Sequence, residues 1–146
     1  MESNLYVKLY EPKDYEKVMN FLQGVHSLKE IEEELFENAV IIINDGEISG
    51  MITYELFRQK ALIRYFIFEK EIEEKYLIDM YEKFFYNLKE NKINKVFVII
   101  NNENVKQMFN NLGFQEFPKE SFFLTEESIM DTKYKNAIVM CYKIEY

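Results

Sequence analysis

The stretch from residue 61 to residue 100 constrains the fold more than any other part of the chain. Residues 61–68 (ALIRYFIF) have the branched and aromatic content of a strand, and residues 95–100 (KVFVII) form a continuous apolar run suited to the buried centre of a sheet. Between them, Ile72, Tyr76, Met80, Phe84 and Leu88 recur at four-residue steps, and Leu77, Tyr81 and Phe85 widen the stripe. That spacing predicts a helix over residues 71–91 with an apolar side broad enough to cover a sheet face. A strand, a long helix and a second strand in this order require a crossover, so the two strands are expected to be parallel and the connection right-handed.

The remaining elements extend this unit on both sides. Residues 5–10 read as a first strand, and Glu11-Pro12 opens a helix whose apolar side is Tyr15, Val18, Met19, Leu22 and Val25, with Gly24 near its stop. Ser27 is the expected cap of a second helix, with Leu28, Ile31 and Leu35 inside and Glu30, Glu32, Glu33, Glu34 and Glu37 on an acidic outer face. Residues 39–44 (AVIIIN), the turn Asp45-Gly46 and residues 48–57 form a hairpin, and a further turn at residues 58–60 makes the middle of the chain an antiparallel meander. After the crossover, Asn102 caps a helix with Val105, Met108, Phe109 and Leu112 inside and Gly113 at its end. Residues 114–124 and 137–144 are expected as two closing strands around a polar loop, residues 125–136. No linker or repeat interrupts this order, so residues 1–146 read as one α/β domain built on a mixed sheet.

Composition removes several classes of function. With 26 acidic against 18 basic residues the net charge is −8, and lysines are interleaved with glutamates rather than clustered, which argues against nucleic acid and for a cationic partner. No run approaches the ~20 apolar residues that span a bilayer, and the N-terminus lacks the basic-then-apolar pattern of a signal peptide, so no membrane partner and a cytoplasmic location are expected. Cys141 is the single cysteine and reads as a small core residue of the last strand, and His26 is the single histidine, so no metal site is expected.

The segment Asn102-Glu103-Asn104-Val105-Lys106-Gln107-Met108-Phe109-Asn110-Asn111-Leu112-Gly113-Phe114 resembles the Asn-x-x-Ala-x-x-Leu-Tyr-x-x-x-Gly-Phe segment of the GNAT superfamily of acyl-CoA-dependent N-acetyltransferases. Val105 stands at the small-residue position, Met108 at the Leu position and Phe109 at the Tyr position, and the spacing to Gly113 and Phe114 is kept. Together with the element order, the resemblance covers essentially the whole chain. It implies a mixed sheet with helices on both faces, whose two parallel strands, residues 61–68 and 95–100, splay apart to admit acetyl-CoA or another acyl-CoA. The pantetheine arm would then pair with a freed strand edge as an added strand does. Backbone N–H groups near Phe66, Ile67 and Phe68 would hold the thioester carbonyl and stabilise the oxyanion, with Asn102 and Phe109 marking the donor's side of the second strand.

Two departures from the family pattern fall on chemistry. The Gln/Arg-x-x-Gly-x-Gly/Ala loop that binds pyrophosphate is replaced by Glu69-Lys70-Glu71-Ile72-Glu73-Glu74-Lys75-Tyr76-Leu77, which has no glycine. Ile72 occupies the Gln/Arg position, and Lys75 and Leu77 occupy the glycine positions. Four carboxylates here answer the helix dipole that a phosphate would otherwise use, leaving Lys70 and Lys75 as point charges for it. Phe109 has no proton to give to a departing thiolate, so Tyr65 or Tyr76 is the substitute acid. Glu55 and Glu69 are the candidate bases, because an amine of ordinary pKa near ~10.4 attacks only after losing a proton.

The expected activity is transfer of an acyl group by direct attack of a primary amine on a small or peptide-like, cationic substrate. The loss of the glycine loop and of the tyrosine keeps open a second reading, a ligand- or protein-binding module without chemistry. The oligomeric state is open and compatible with a homodimer.

Overall fold

The computed structural model describes residues 4–25, 30–57, 60–118, 123–124, 127–128 and 137–144. In chain order the elements are β1 (Leu5–Leu9), a 3-10 turn (Pro12–Asp14), α1 (Tyr15–Gln23), a 3-10 helix (Glu33–Asn38), β2 (Val40–Asn44), β3 (Glu47–Phe57), β4 (Lys60–Phe68), α2 (Glu74–Glu90), β5 (Lys95–Ile100), α3 (Glu103–Asn111), β6 (Gln115–Phe117), β7 (Phe123–Leu124), β8 (Glu127–Ser128) and β9 (Ile138–Lys143). Seven strands form one mixed sheet in the order β1-β2-β3-β4-β5-β9-β6, and among the described residues β7 and β8 form a second, two-stranded sheet. The predicted crossover is present: α2 joins β4 to β5, and these strands pair in parallel.

Two expectations need correction. The second helix is not α-helical where it is described. Glu33–Asn38 is a 3-10 helix that buries Leu35 and Phe36, and Ser27 and Leu28 lie outside the described residues. The strand expected over 114–124 ends after three residues at Phe117, followed by Pro118, which has no N–H to offer a ladder. Phe123–Leu124 belongs instead to the separate hairpin with Glu127–Ser128. The rest of the 125–136 loop is outside the described residues.

By internal packing the chain divides into two compact units, Met1–Tyr54 with Arg64–Asn91, and Glu55–Ile63 with Lys92–Tyr146. In the first unit the β2–β3 hairpin turns through Asp45 (φ 51°) and Gly46 (φ 86°), the doubly left-handed pair expected of an Asp-Gly turn. Its ladder slips between Ile42 and Ile43, so that Ile48 faces Ile43 and Gly50 faces Ile42, leaving Ser49 as the extra residue. Ile41, Ile43, Ile48 and Met51 thus share one face, where Val18 and Leu22 of α1 and Phe36 cover them. The opposite face takes α2, with Phe84 edge-on to Tyr54 at 5.8 Å and the Tyr54 hydroxyl donating to Asn87 Oδ1 at 2.9 Å. Helices therefore lie on both faces of this part of the sheet.

An ion pair fixes the entry to α1. Lys8 Nζ on β1 lies 2.9 Å from Asp14 Oδ2, and the same carboxylate accepts from Glu11 N–H at 2.9 Å. Asp14 is almost wholly buried, which by itself would push its carboxyl up. The Lys8 ammonium and the Glu11 N–H outweigh that and hold it below the ordinary aspartate value.

In the second unit, β5 is the central strand, paired with β9 along its full length from Lys95↔Lys143 to Ile100↔Ile138. Asn102 caps α3 as predicted, its Oδ1 accepting from Asn104 N–H at 2.7 Å and from Val105 N–H at 3.4 Å. Gly113 leaves the helix at φ 100°, and Phe114 then packs edge-on to Phe109 at 5.1 Å. The 102–114 segment is therefore a helix with both ends specified by sequence and its core side anchored by two rings.

Candidate active site

The feature that sets the site is the way β4 ends its pairing. Its parallel ladder with β5 consists of Lys60↔Lys95, Ala61↔Val96 and Leu62↔Phe97, yet the strand continues to Phe68. Within that continuation Tyr65 has φ 54°, a left-handed conformation that costs a non-glycine residue roughly 1–2 kcal/mol and must be held by its surroundings. The holding group is visible. Glu32 N–H donates to Tyr65 Oη at 2.8 Å, the neighbouring Arg64 pairs with the Glu32 carboxylate, and the Arg64 guanidinium lies 5.9 Å from the Tyr65 ring centre.

Phe66, Ile67 and Phe68 follow the left-handed residue. The Phe66 and Phe68 rings pack 5.4 Å apart, and Ile67 packs on the α1-facing core. Gly50 on β3 makes this stretch possible. A Cβ there would lie 3.1 Å from Phe68 Cβ, 3.1 Å from Ile42 Cδ1 and 3.4 Å from the Ile67 carbonyl oxygen. Glu69 then closes the strand, its N–H donating to the Ser49 carbonyl at 2.9 Å, while its side chain is exposed.

The helix start differs from the expectation. Helix α2 begins at Glu74, so Glu69 and Glu71 belong to the preceding turn, and the N-cap residue Glu73 makes no side-chain hydrogen bond to the helix amides. Glu73 instead pairs with Lys75 at 3.7 Å, and Lys75 Nζ stands 5.0 Å from the Tyr76 ring centre. Fewer carboxylates answer the helix dipole than the sequence count suggested. Lys70 is exposed in the turn, and Lys75 is exposed on the first helical turn, so both can approach a phosphate as point charges.

Glu55 sits half-buried on β3 in the second unit. Strict alternation back from Glu55 would run through Thr53 and Met51 to Ser49, and the strand departs from it. Thr53 and Met51 precede it on the same face, but Ser49 is displaced by the slip in the ladder and Ile48 takes its place. Thr53 is fully buried with its hydroxyl donating to the Leu35 carbonyl at 2.5 Å. Phe109, also in the second unit, is buried against Phe114. Cys141 is buried, and burial pushes its thiol up against the pull of Lys95, Lys143 and Lys60. Among the described residues no group of three or more His, Cys, Asp or Glu side chains is placed to hold a metal ion, and no helix is long and apolar enough to cross a membrane.

Gly50 and Glu32 escaped the sequence reading. A glycine inside a strand signals close approach of another backbone, and Gly50 carries that signal. The Glu32 amide carries none, because its role depends on contact with a residue 33 positions away.

No family model and no curated protein matches the sequence. Solved structures do match the fold. An acetyltransferase of the GNAT family from Staphylococcus aureus superposes with a TM-score of 0.72 at 14% identity, covering 97% of this chain and 99% of its own. The ribosomal-protein-S18-alanine N-acetyltransferase of Escherichia coli gives a TM-score of 0.67 at 14% identity over 97% and 95% of the two chains. N-acetylglutamate synthase from Neisseria gonorrhoeae, solved with coenzyme A and N-acetyl-glutamate, gives 0.71 at 13% identity, and this chain spans 36% of its length. The chain has the GNAT N-acetyltransferase fold, with β4 and β5 as its parallel pair and Asn102–Phe114 as the segment that follows it.

Proposed function

We propose that the chain is an acyl-CoA-dependent N-acyltransferase acting on a primary amine. The observation that carries this reading is the departure of β4 from its ladder with β5 after Leu62, through the left-handed Tyr65, within a fold shared from end to end with acetyltransferases. A strand that leaves its partner offers N–H and C=O groups to an extended pantetheine arm, which is how β-augmentation gains affinity.

In this reading the amide groups of Phe66, Ile67 and Phe68 hold the thioester carbonyl. Lys70 and Lys75 contact the donor's phosphates in place of a glycine loop. Asn102, exposed at the start of its helix, is a further donor contact, whereas the Phe109 side chain is buried against Phe114 and serves only to anchor that helix. The amine nitrogen forms a bond to the acyl carbon as the carbon–sulfur bond breaks. Glu69, with Glu55 as the other candidate, takes the proton that the amine must lose. Tyr65 returns a proton to the thiolate, its ring held in place by the Glu32 N–H. The net charge of −8 and the exposed Glu30, Glu33, Glu34 and Glu37 favour a cationic small molecule or peptide as acceptor. The reading carries a cytoplasmic location and a single-domain chain compatible with a homodimer.

The second reading, a binding module that retains the fold without the chemistry, is favoured by the glycine-free residues 69–77. Thiol release from acetyl-CoA in the presence of polyamines and Lys-terminated peptides separates the two. Turnover above the no-enzyme rate that is lost in Glu69→Gln supports the transferase, and no thiol release with any amine supports the module.

A further inference from the structure

The register of the second unit places three lysines side by side. Lys60 is the direct partner of Lys95 on β5, and Lys95 is the direct partner of Lys143 on β9, so the three side chains share one face on three adjacent strands. Strands lie about 4.8 Å apart, and the row therefore spans roughly 10 Å. Like charges placed directly opposite one another destabilise a sheet, and here the arrangement occurs twice in succession.

No ion pair between described residues answers this charge. The ion pairs of the described chain use Lys8, Lys13, Arg64, Lys75, Lys83 and Lys106, and none of them includes a member of the row. Lys60 and Lys95 are half-buried and Lys143 is exposed, and lysines in such places keep the ammonium in water while the stem covers apolar surface. All three also act on the buried Cys141 thiol two residues further along the same face, which places their charges at one end of the Leu62, Phe97 and Cys141 cluster. A local concentration of three positive charges is unusual in a chain of net charge −8.

We infer that the Lys60–Lys95–Lys143 row is a binding site for a compact phosphate-bearing anion, separate from the acyl donor's site. A ligand with two or three negative charges within the length of the row would neutralise it, whereas a single carboxylate would leave most of the repulsion in place. An ammonium with three donors suits a phosphate oxygen as a point charge. A long polyanion is disfavoured by the acidic remainder of the chain, so a small ligand fits better than nucleic acid. The row opens β4 at Lys60, six residues before the donor-binding stretch proposed above begins at Phe66, and it shares no residue with that stretch.

The probe is inorganic diphosphate. Thermal unfolding of the whole chain is followed in diphosphate against sodium chloride of equal ionic strength, and the same pair of scans is run on Lys95→Gln and Lys143→Gln. The proposal expects diphosphate to raise the melting temperature of the parent beyond chloride and to lose at least about tenfold in affinity in each variant. It also expects each variant to melt no lower than the parent without diphosphate, because one like-charge contact has been removed. An equal response of parent and variants to diphosphate would show only a general salt effect and would overturn the site. A loss of acetyl-CoA binding in Lys143→Gln would assign the row to the donor and overturn its independence. A 20-nucleotide single-stranded DNA that outcompetes diphosphate at physiological salt would replace the small ligand by nucleic acid.

Discussion

The backbone N–H of Glu32 donates to the Tyr65 hydroxyl at 2.8 Å, joining a segment before β2 to the left-handed residue of β4 across 33 positions of sequence. The hydroxyl lies 3.5 Å from the Glu30 carbonyl oxygen, so one phenol meets backbone groups at two points of the same segment. This latch explains how a tyrosine with positive φ persists in a strand, since its backbone cost is offset by bonds that no glycine could make. It also fixes the direction in which Phe66, Ile67 and Phe68 leave.

Tyr65→Phe keeps the ring and removes the hydroxyl, leaving the Glu32 amide without its acceptor. Loss of about 1–2 kcal/mol of stability is expected in urea unfolding, with faster hydrogen exchange at the Glu32 amide. Unchanged exchange at Glu32 together with unchanged stability would remove the latch from the account.

Gly50→Ala tests the close approach of β3 to the end of β4. The new Cβ would stand 3.1 Å from Phe68 Cβ and from Ile42 Cδ1, tight enough to force the neighbouring chain to shift. Destabilisation of about 1–3 kcal/mol is expected from overpacking, together with weaker acetyl-CoA affinity, because Phe68 belongs to the proposed donor-binding stretch. A drop in stability with donor affinity unchanged would separate this contact from the site.

Asp14→Asn probes the Lys8 pair through pH. The Asp14 carboxyl is held below its unfolded value, so its contribution is fully present above the ordinary aspartate range and is lost as pH falls through the folded value. Lys8 is raised: burial alone would lower it, but the hydrogen bonds and charges of Asp14 and Glu11 prevail, so its contribution is lost only as pH rises beyond the ordinary lysine value. Parent and Asp14→Asn should therefore differ by about 1.5–3 kcal/mol near neutral pH and converge in strong acid. A gap that persists unchanged in strong acid would rule out the ion pair as its source.

The two ends of α3 should respond differently. Asn102→Ala removes the cap that serves the Asn104 and Val105 amides and should cost about 1 kcal/mol. Gly113→Ala should cost more. It forces a side chain into φ 100° and brings a Cβ to 2.9 Å from the Tyr142 ring. Chemical unfolding of the two variants checks the order, and a smaller effect for Gly113→Ala would contradict the geometry.

Much of this architecture was legible because local chemistry dictated it. Asp45-Gly46 specified a doubly left-handed turn, the stripe from Tyr76 to Leu88 specified a helix over a sheet face, and Asn102 with Gly113 bounded α3. The departures come from effects without a local signature. Ser49 breaks the alternation of β3 because the ladder slips one residue between Ile42 and Ile43, a choice made by pairing rather than by the strand itself. Residues 33–38 are too short a run to distinguish a 3-10 helix from the start of an α-helix. The proposed donor contacts at residues 66–68 follow from family likeness alone, whereas the left-handed turn at Tyr65 and the Glu32 amide that holds it depend on contacts across the chain. The lysine row is likewise invisible in any window of sequence and emerges only from register.

Calorimetric titration of acetyl-CoA into the whole chain decides whether the end of β4 takes an acyl donor. The account predicts saturable binding of one donor per chain in the micromolar range, weakened in Lys70→Glu and Lys75→Glu as the phosphates lose their cations. Absence of heat and of thermal stabilisation up to millimolar acetyl-CoA would contradict it, and would leave an acetyltransferase fold that no longer takes the acyl donor.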